Sequence, residues 1–446
     1  MKRQATIQTI NFPFMRFYLK LFVAVGFLWT GGAVRAQNVG NSPYSQIGIG
    51  DVTNPAFASH QAMGGAGVAY SNGLFINNLN PALWARNRNV VLELGVAAQY
   101  KRMTSGNTSQ RSLGGNLNYL ALAFPVARYW TTGLVLSPYS TVNYDIKTTG
   151  TVAGRPTQKV NTTLTGRGGL TGVNFNNGFT LTKSLYAGLQ TTYVFGSATT
   201  DVFGVIDSLP LSTAGYQQRI NYSDFVFKPG IAYRKRLRYD SKDSLKAVYL
   251  SIAGTYEFAT NVSARRTLTS ENRGGDVEGA PILLDTLVRD LPGNIRLPQG
   301  FRLGVNLENP FRWAVSADVA YSQWSDYSSF GTNGSLMNTY SAHLGGEWTP
   351  DINSVGSYLR RMTFRGGLQY AQMPIAHQGK QLSDRSVSLG IFLPITPQDR
   401  SGISYINTTF ILGRRGEASL IKEDYVRLIF GFSLNSFEWF RRYKID

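Results

Sequence analysis

The sequence predicts an all-β protein: a transmembrane antiparallel β-barrel of about 14 strands with an N-terminal hatch that plugs the lumen. Three observations support this fold class. Only 16% of the 446 residues are charged, whereas 13% are aromatic. From about residue 89 onwards, apolar and polar side chains alternate with the period of two that is typical of strands. A stretch rich in glycine and small residues, 59–70, precedes those strands and requires tight turns.

Residues 1–36 have the composition of a secretory signal peptide. A basic beginning is followed by the apolar run 21–29, and Val34 and Ala36 occupy the −3 and −1 positions of a cleavage site. We therefore expect cleavage near Ala36, a mature start at Gln37 and localisation in the outer membrane of a Gram-negative bacterium. The alternative is a membrane anchor, which is disfavoured because the apolar run is shorter than the roughly 20 residues of a spanning helix.

The formal net charge is +18, and removing the five basic residues of the signal leaves about +13. In an exported barrel we expect basic residues at the rim to face anionic head groups, so outer-membrane lipid is a predicted partner. Nucleic acid is not, because no basic helix or aromatic–basic cluster stands out. The chain has no cysteine, which excludes disulfides and thiolate metal sites.

The remaining domains follow from the same pattern. Residues 37–88 are the predicted hatch, 89–435 the barrel and 436–446 a periplasmic C-terminal tail. The clearest strand, 312–324, turns Trp313, Val315, Ala317, Val319 and Tyr321 to one face. The predicted strand centres lie near residues 95, 120, 135, 170, 190, 227, 254, 302, 318, 344, 367, 390, 408 and 430.

Connections of unequal length favour a membrane barrel over a soluble β-sandwich, which is the structural alternative. Short turns are expected at 127–128, 183–184, 309–310 and 396–399. Long loops are expected at about 145–160, 200–219, 263–294 and 325–337. Outer-membrane barrels have short periplasmic turns and long outer loops.

The strand faces opposite the apolar ones carry charged side chains, which would line the lumen. We expect ion pairs among these residues and with the hatch, because an unpaired buried charge is costly. A structural network is favoured over a selectivity path. The predicted lumen-lining residues are Glu93, Arg302, Arg312, Asp318, His343, Glu347, Arg365 and Arg427.

Little in the sequence indicates catalysis, so we do not expect an enzyme, a cofactor or a metal. His60, His343 and His377 lie in three regions without metal-ligand spacing. The glycine run 64–67 lacks the lysine and the serine or threonine of a phosphate loop. A serine–histidine hydrolase with His343 as its base is the remaining enzymatic alternative.

Two motifs carry a family resemblance. Residues 62–67, Ala-Met-Gly-Gly-Ala-Gly, and the later Asn80-Pro81-Ala82 resemble the hatch of FadL/TodX-type outer-membrane transporters of long-chain fatty acids and aromatic hydrocarbons. Residues 41–51 look like a distant branch that includes PorV-like subunits of a secretion apparatus. The resemblance implies a fourteen-stranded barrel around a hatch, in which the hatch or gating residues are Gly64, Gly65, Gly67, Asn80, Pro81 and Ala82.

The same resemblance implies passive uptake of a hydrophobic small-molecule ligand, a fatty acid or an aromatic hydrocarbon, with sideways exit through the wall. This is the leading hypothesis for function. The alternative is a non-transporting partner or shuttle subunit of an outer-membrane secretion or envelope-assembly complex. It is motivated by the PorV-like opening and by the charged lumen.

Overall fold

The computed structural model describes residues 41–152, 154–206, 212–238, 247–274, 281–395 and 404–436. The expected signal peptide, the first hatch residues, the expected short turn at 396–399 and residues 437–446 of the expected tail lie outside the described residues.

The N-terminal segment 41–88, here called the hatch segment, contains only short elements. They are the 3-10 helix η1 (Pro43–Gln46), the strand β1 (Asp51–Val52), the helix α1 (Ala58–Gln61) and the 3-10 helix η2 (Pro81–Arg86). Asn80 caps η2 by accepting a hydrogen bond of 3.0 Å from the Ala82 N–H, and Pro81 suits the first helical position. In the described part of the chain, no helix is both long and apolar enough to cross a membrane.

The described residues between 90 and 436 are mostly strand. The long strands are β2 (Val90–Ser105), β3 (Thr108–Ala127), β4 (Trp130–Val152), β5 (Arg155–Thr180), β6 (Leu185–Ile206), β7 (Ser212–Arg238), β8 (Val248–Glu257), β9 (Thr260–Gly274), β10 (Pro281–Leu297), β11 (Gly300–Asn309), β12 (Trp313–Ser322), β15 (Thr339–Trp348), β16 (Thr363–His377), β17 (Lys380–Ile395), β18 (Ser404–Glu417) and β19 (Ile421–Ser436). Two-residue strands β13 (Ser328–Ser329) and β14 (Thr332–Asn333), the 3-10 helix η3 (Trp324–Asp326) and the helix α2 (Tyr358–Arg361) lie in connections.

The predicted fold class is confirmed, because these strands close into a 14-strand antiparallel barrel. β19 pairs with β2 along its whole length, which joins the two ends of the wall. β8 and β9 occupy one position, since both pair with β7, and β10 and β11 occupy the next. Every predicted strand centre lies within a strand.

The prediction of long loops was wrong for three of its four segments. The described parts of 145–160, 200–219 and 263–294 are mostly strand: β4 and β5 meet at a tight turn near residue 154, and β9 and β10 continue the wall along β7 beyond β8 and β11. These segments keep strand-forming threonine, valine, leucine and isoleucine, although apolar side chains no longer alternate regularly. The barrel therefore has a tall side, made of β4–β7, β9 and β10.

A belt of exposed apolar side chains surrounds the barrel. It includes Leu134 on β4, Ile231 on β7, Leu303 on β11, Leu389 on β17 and Phe430 on β19, all exposed. Alternate residues of the same strands are buried on the inner side. Such a belt suits a hydrocarbon surrounding, because water would penalise so large an apolar surface.

β3 and β4 separate above their turn and leave an opening, here called the seam. They pair only from Ala127↔Trp130 to Leu120↔Leu136. Just above, Asn118 is bulged relative to β2, and Tyr139 is bulged relative to β5. Bulges bend a strand, so both edges depart from each other here. In the hatch segment, β1 pairs with Ser140 and Thr141 on the free edge of β4.

Candidate functional site: the contact between hatch segment and wall

Glycines in the wall let the hatch backbone touch the barrel backbone. Gly345 on β15 and Gly367 on β16 are register neighbours. A Cβ added to Gly345 would lie 2.2 Å from Met63 O, and one added to Gly367 would lie 2.2 Å from Gly64 N. Gly64 itself has φ +67, a conformation that side chains disfavour. No larger residue fits at this contact.

The Asn80-Pro81-Ala82 turn has its own glycine platform on the opposite side of the lumen. Gly178, Gly188 and Gly230 are register neighbours on β5, β6 and β7. A Cβ on Gly188 would lie 2.4 Å from Ala82 N, and one on Gly230 would lie 2.2 Å from Asn80 Oδ1. The Asn80 amide also donates to Val68 O at 3.0 Å and to Ile231 O at 3.2 Å.

Asp318 on β12 binds the hatch backbone directly. Its Oδ2 accepts hydrogen bonds of 2.9 Å from both Gly67 N and Val68 N. The same oxygen lies 2.9 Å from Arg302 Nη2, and Arg302 also donates to Gly65 O. The Asp318 side chain is fully buried and that of Arg302 is 13% exposed, so the pair joins wall and hatch largely away from water.

The turn at Gly64 is held by two further side chains. His343 Nδ1 lies 2.8 Å from Gly64 O. Ser388 on β17 accepts from Gly64 N at 2.8 Å and donates to Ala62 O at 3.0 Å. Ser388 is not among the predicted lumen-lining residues, although its alternation with the apolar Val387 and Leu389 indicates the inner face of β17.

Arg365 on β16 joins three kinds of partner. Its Nε donates to Glu347 Oε2 at 2.8 Å, and its Nη1 donates to Ser59 O at 2.8 Å. Its guanidinium lies 3.8 Å from the ring centroid of Phe392 and 4.7 Å from that of Phe75. Cations over aromatic faces gain further attraction when they are desolvated.

The wall carboxylates of Glu347 and Glu93 also bind groups of the hatch segment. Glu347 accepts a hydrogen bond from the Tyr70 hydroxyl. Glu93 on β2 is buried and accepts a hydrogen bond of 2.6 Å from Ile76 N. Arg427 donates to Gln99 at 2.7 Å and lines a cavity described below. Of the predicted lumen-lining residues, seven therefore lie on the inner side.

Arg312 does not, and its predicted lumen position was wrong. It lies in the turn between β11 and β12, where its carbonyl accepts from Thr349 N, and it is exposed. The strand alternation was extended one residue too far at that end, because Trp313 is the first residue of β12.

Three further ion-pair groups include hatch residues that sequence reasoning missed. Glu308 lies 2.6 Å from Arg234 and 3.7 Å from Arg86 of the hatch segment. Arg415 lies 2.6 Å from Asp51 and 3.1 Å from Asp384. Glu308 shares the inner face of β11 with the predicted residue Arg302, and that alternation is the signal that could have identified it.

The third group is the pair of Lys101 and Glu423, 3.0 Å apart and almost completely buried. The Ser42 hydroxyl of the hatch segment donates 2.6 Å to the other oxygen of Glu423. The hatch segment is thus anchored from Ser42 to Arg86.

His60 is a neutral residue within the hatch segment. Burial, and then the nearby Arg365 charge, lower the pKa of His60 from 6.5 to about 3. Its Nδ1 lies 3.1 Å from Ser59 Oγ, and its Nε2 lies 3.4 Å from Tyr70 O. Among the described residues, no group of three or more acidic or histidine side chains could hold a metal ion.

A cavity of about 280 Å³ lies between the hatch segment and the wall, next to the seam. Asp51, Lys101, Asp384, Arg415 and Glu423 contribute charged walls. Asn116 and Asn118 of β3 line the side towards the seam, and several apolar residues, including Ile47 and Ile375, line the remainder. The cavity is therefore mixed in character.

The chain is similar to known proteins in sequence family and in fold. The family model BamG matches residues 18–446. The toluene transporter TodX of P. putida is 17% identical, with a TM-score of 0.54, and covers 86% of this chain and 99% of its own. A FadL homologue of Pseudomonas aeruginosa is 12% identical, with a TM-score of 0.54 and the same coverages. The toluene transporter TbuX of Ralstonia pickettii is 14% identical, with a TM-score of 0.52. No curated protein sequence matches.

The fold and the site define a transmembrane β-barrel whose lumen is filled by its own N-terminal segment. This chain belongs to the BamG family. It has the fold of outer-membrane channels of the FadL/TodX type, and the similarity to those structures extends to the fold alone.

Proposed function

We propose that this protein is a non-transporting subunit of an outer-membrane secretion or envelope-assembly complex, in which the filled barrel acts as a rigid membrane scaffold. The observation that carries the proposal is the fixed hatch segment. Side chains of the wall bind its backbone at Ala58, Ser59, Ala62, Gly64, Gly65, Gly67, Val68 and Ile76.

Energetics support a hatch that stays in place. Opening the lumen would take the Gly67 and Val68 N–H groups away from Asp318 and the Ser59 carbonyl away from Arg365. Hydrogen bonds to charged groups contribute about 1.5–3 kcal/mol each. Each buried hatch N–H without its acceptor adds about 1–3 kcal/mol.

The apolar belt and the signal-like N-terminus support localisation in the outer membrane, with lipid as the immediate partner. The PorV-like character of residues 41–51 supports an association with other envelope proteins. The proposal contains no catalytic step and no cofactor.

Native mass spectrometry of the protein extracted from its own membrane in a mild detergent tests the proposal. We expect a protein partner at fixed stoichiometry and no co-purified hydrophobic ligand. The matched sample is the same protein refolded alone, which separates specific partners from detergent aggregates. A single chain that carries acyl or aromatic molecules would overturn the proposal.

A second candidate function is passive uptake of fatty acids or aromatic hydrocarbons with gating by the hatch segment. The seam and the adjacent cavity of about 280 Å³ favour it, because together they offer a sideways exit. The known toluene transporters with the same fold support it as well.

Toluene flux into liposomes containing the purified barrel tests this second function. Passage that falls when Ala97, which lines the cavity, is replaced by Trp would favour uptake, with Ala317→Trp on the outer face of β12 as the control. Equal permeability of barrel-containing and empty liposomes would exclude it.

A further inference from the structure

We infer that the seam is a docking site for an extended polypeptide segment of a partner protein, which adds as a strand to the free edge of β4. The inference rests on the proposed function and deepens it, because it names the surface at which the partner binds. It follows from backbone geometry at the seam.

The free edge of β4 already binds extended chain. Asn143 O accepts 2.8 Å from Ser42 N, and Asn143 N donates 3.0 Å to Ser45 Oγ. Lower down, Tyr139 O accepts 3.0 Å from Thr53 N, beside the pairing of β1 with Thr141. β1 therefore uses this edge as a strand would, and the Ser42 N–H and the Ser45 hydroxyl bond to the edge further up.

The edge continues beyond the hatch segment. In an antiparallel strand the N–H and C=O of one residue point the same way, and alternate residues share a direction. Since Asn143 points into the seam, Asp145, Lys147 and Thr149 do so too. β5 pairs with β4 from Trp130 to Val152 and holds this edge extended. Among the described residues, no strand pairs with the seam side of β4 above Thr141.

At the level of Asn41 and Ser42, the seam is about as wide as one strand. The adjacent residues Asn41 and Ser42 contact opposite edges: Asn41 N donates 3.0 Å to Ser112 Oγ on β3, and Ser42 N bonds to β4. A single inserted strand can therefore reach both edges. β3 offers residues 108–119, which pair with β2 on their other side.

The chemistry of the edge selects the occupant. A row of peptide donors and acceptors needs partners at strand spacing, and a free strand edge is a template on which a further strand can pair. A lipid chain supplies neither donors nor acceptors, whereas an extended peptide supplies both. Leu113 and Leu117 are exposed on the outer face of β3, so the inserted strand should carry apolar side chains on that face at their level.

Photocrosslinking in native membranes tests the inference. The chain has no cysteine, so a benzophenone can be attached to single cysteines at Asp145→Cys or Lys147→Cys, both exposed positions. We expect adducts to one segment of the partner. If that segment is paired as a strand, probes at positions 145 and 147 should crosslink to partner residues that are themselves two apart in sequence. Leu389→Cys, on the belt at β17, is the control and should give mainly lipid adducts.

Paired variants separate the backbone from the side chain. Thr149→Pro removes one seam-facing N–H without removing a bond to β5, and edge positions tolerate proline. We expect it to reduce the Lys147→Cys adduct at least tenfold, while Thr149→Ala leaves it unchanged. The inference would be overturned by equal adduct yields in Thr149→Pro and Thr149→Ala. It would also be overturned if the probes gave adducts only to lipid, only to this chain's own residues, or none at all. A stoichiometric partner in native mass spectrometry without seam adducts would refute the docking site and leave the proposed function standing.

Discussion

Single side chains of the wall, acting on the backbone of the hatch segment, determine how firmly the lumen is filled. Asp318 is the clearest case, because one buried oxygen serves two peptide N–H groups and Arg302. Arg365 likewise combines an ion pair, a carbonyl contact and two aromatic faces. Such nodes concentrate the stability of the contact in few residues.

Asp318→Asn should loosen the hatch segment. The variant keeps the shape but loses the charge that binds two N–H groups and a guanidinium, which costs about 1.5–3 kcal/mol. Urea unfolding followed by heat-modified electrophoretic mobility would measure the loss. Asp424→Asn is the matched control, because its pair with Arg414 is exposed and should contribute at most about 1 kcal/mol. Equal losses in both variants would contradict the assignment.

His60 should make hatch docking sensitive to acid. Its pKa is about 3 when docked and 6.5 when free, so only the released state gains a proton between those pH values. Stability is therefore complete above pH 6.5 and falls as the pH drops, by about 2 kcal/mol at pH 5. Protease cleavage within the hatch segment at pH 5 and pH 7.5 would measure it. His60→Gln should show a smaller difference between the two pH values, and an unchanged difference would refute the role.

At the scale of elements, two glycine platforms on opposite sides of the lumen hold one short segment between them. The Gly64 turn meets β15 and β16, and the Asn80-Pro81-Ala82 turn meets β5, β6 and β7. Neither contact involves a long helix or a large apolar interface. Gating of the lumen by the hatch segment stays a prediction.

Gly188→Ala should expel or misplace the Asn80-Pro81-Ala82 turn. The new methyl group would lie 2.4 Å from the backbone of Ala82, which cannot yield without moving η2. We expect little mature, heat-stable barrel in the outer membrane. Gly150→Ala is the matched control, since its methyl group would meet only Val160 at 3.9 Å. Normal levels of the Gly188 variant would show that the turn can move.

The sequence predicted these elements unevenly. Alternation located every membrane strand and the inner faces of residues such as Glu93 and Asp318, because lipid on one side imposes a strict period. It failed at 145–160, where the described side chains are mostly exposed and the period fades. It also could not identify the glycine platforms, since Gly178, Gly188 and Gly230 become neighbours only through register.

The apolar belt has the same height all around the barrel, whereas the strands of the wall differ in length and extend further on the tall side. The belt includes Leu389 and Leu303, whereas Leu283 lies near the far end of the tall side. Leu389 and Leu283 are similarly exposed, at 62% and 60%, so exposure alone does not distinguish them. Their surroundings do.

Leu389→Asp should therefore reduce membrane assembly, and Leu283→Asp should not. An aspartate on the lipid face at mid-depth is destabilising, although by less than the about 2–4 kcal/mol of an arginine or a lysine, whereas the same change outside the membrane costs little. Folding into vesicles at increasing urea concentration would compare the two variants. Equal urea midpoints for the two variants would place the tall side of the wall within the bilayer.

The hatch contacts also impose an order on biogenesis. Gly64 bonds to Ser388, 324 residues further along the chain, whereas Ile76 bonds to Glu93, only 17 residues away. Contacts so distant in sequence form late, because loop closure must precede them. The segment must lie inside before β19 closes on β2, so it serves as a template for the closing wall. Defects in it should arrest folding intermediates instead of producing finished, open barrels.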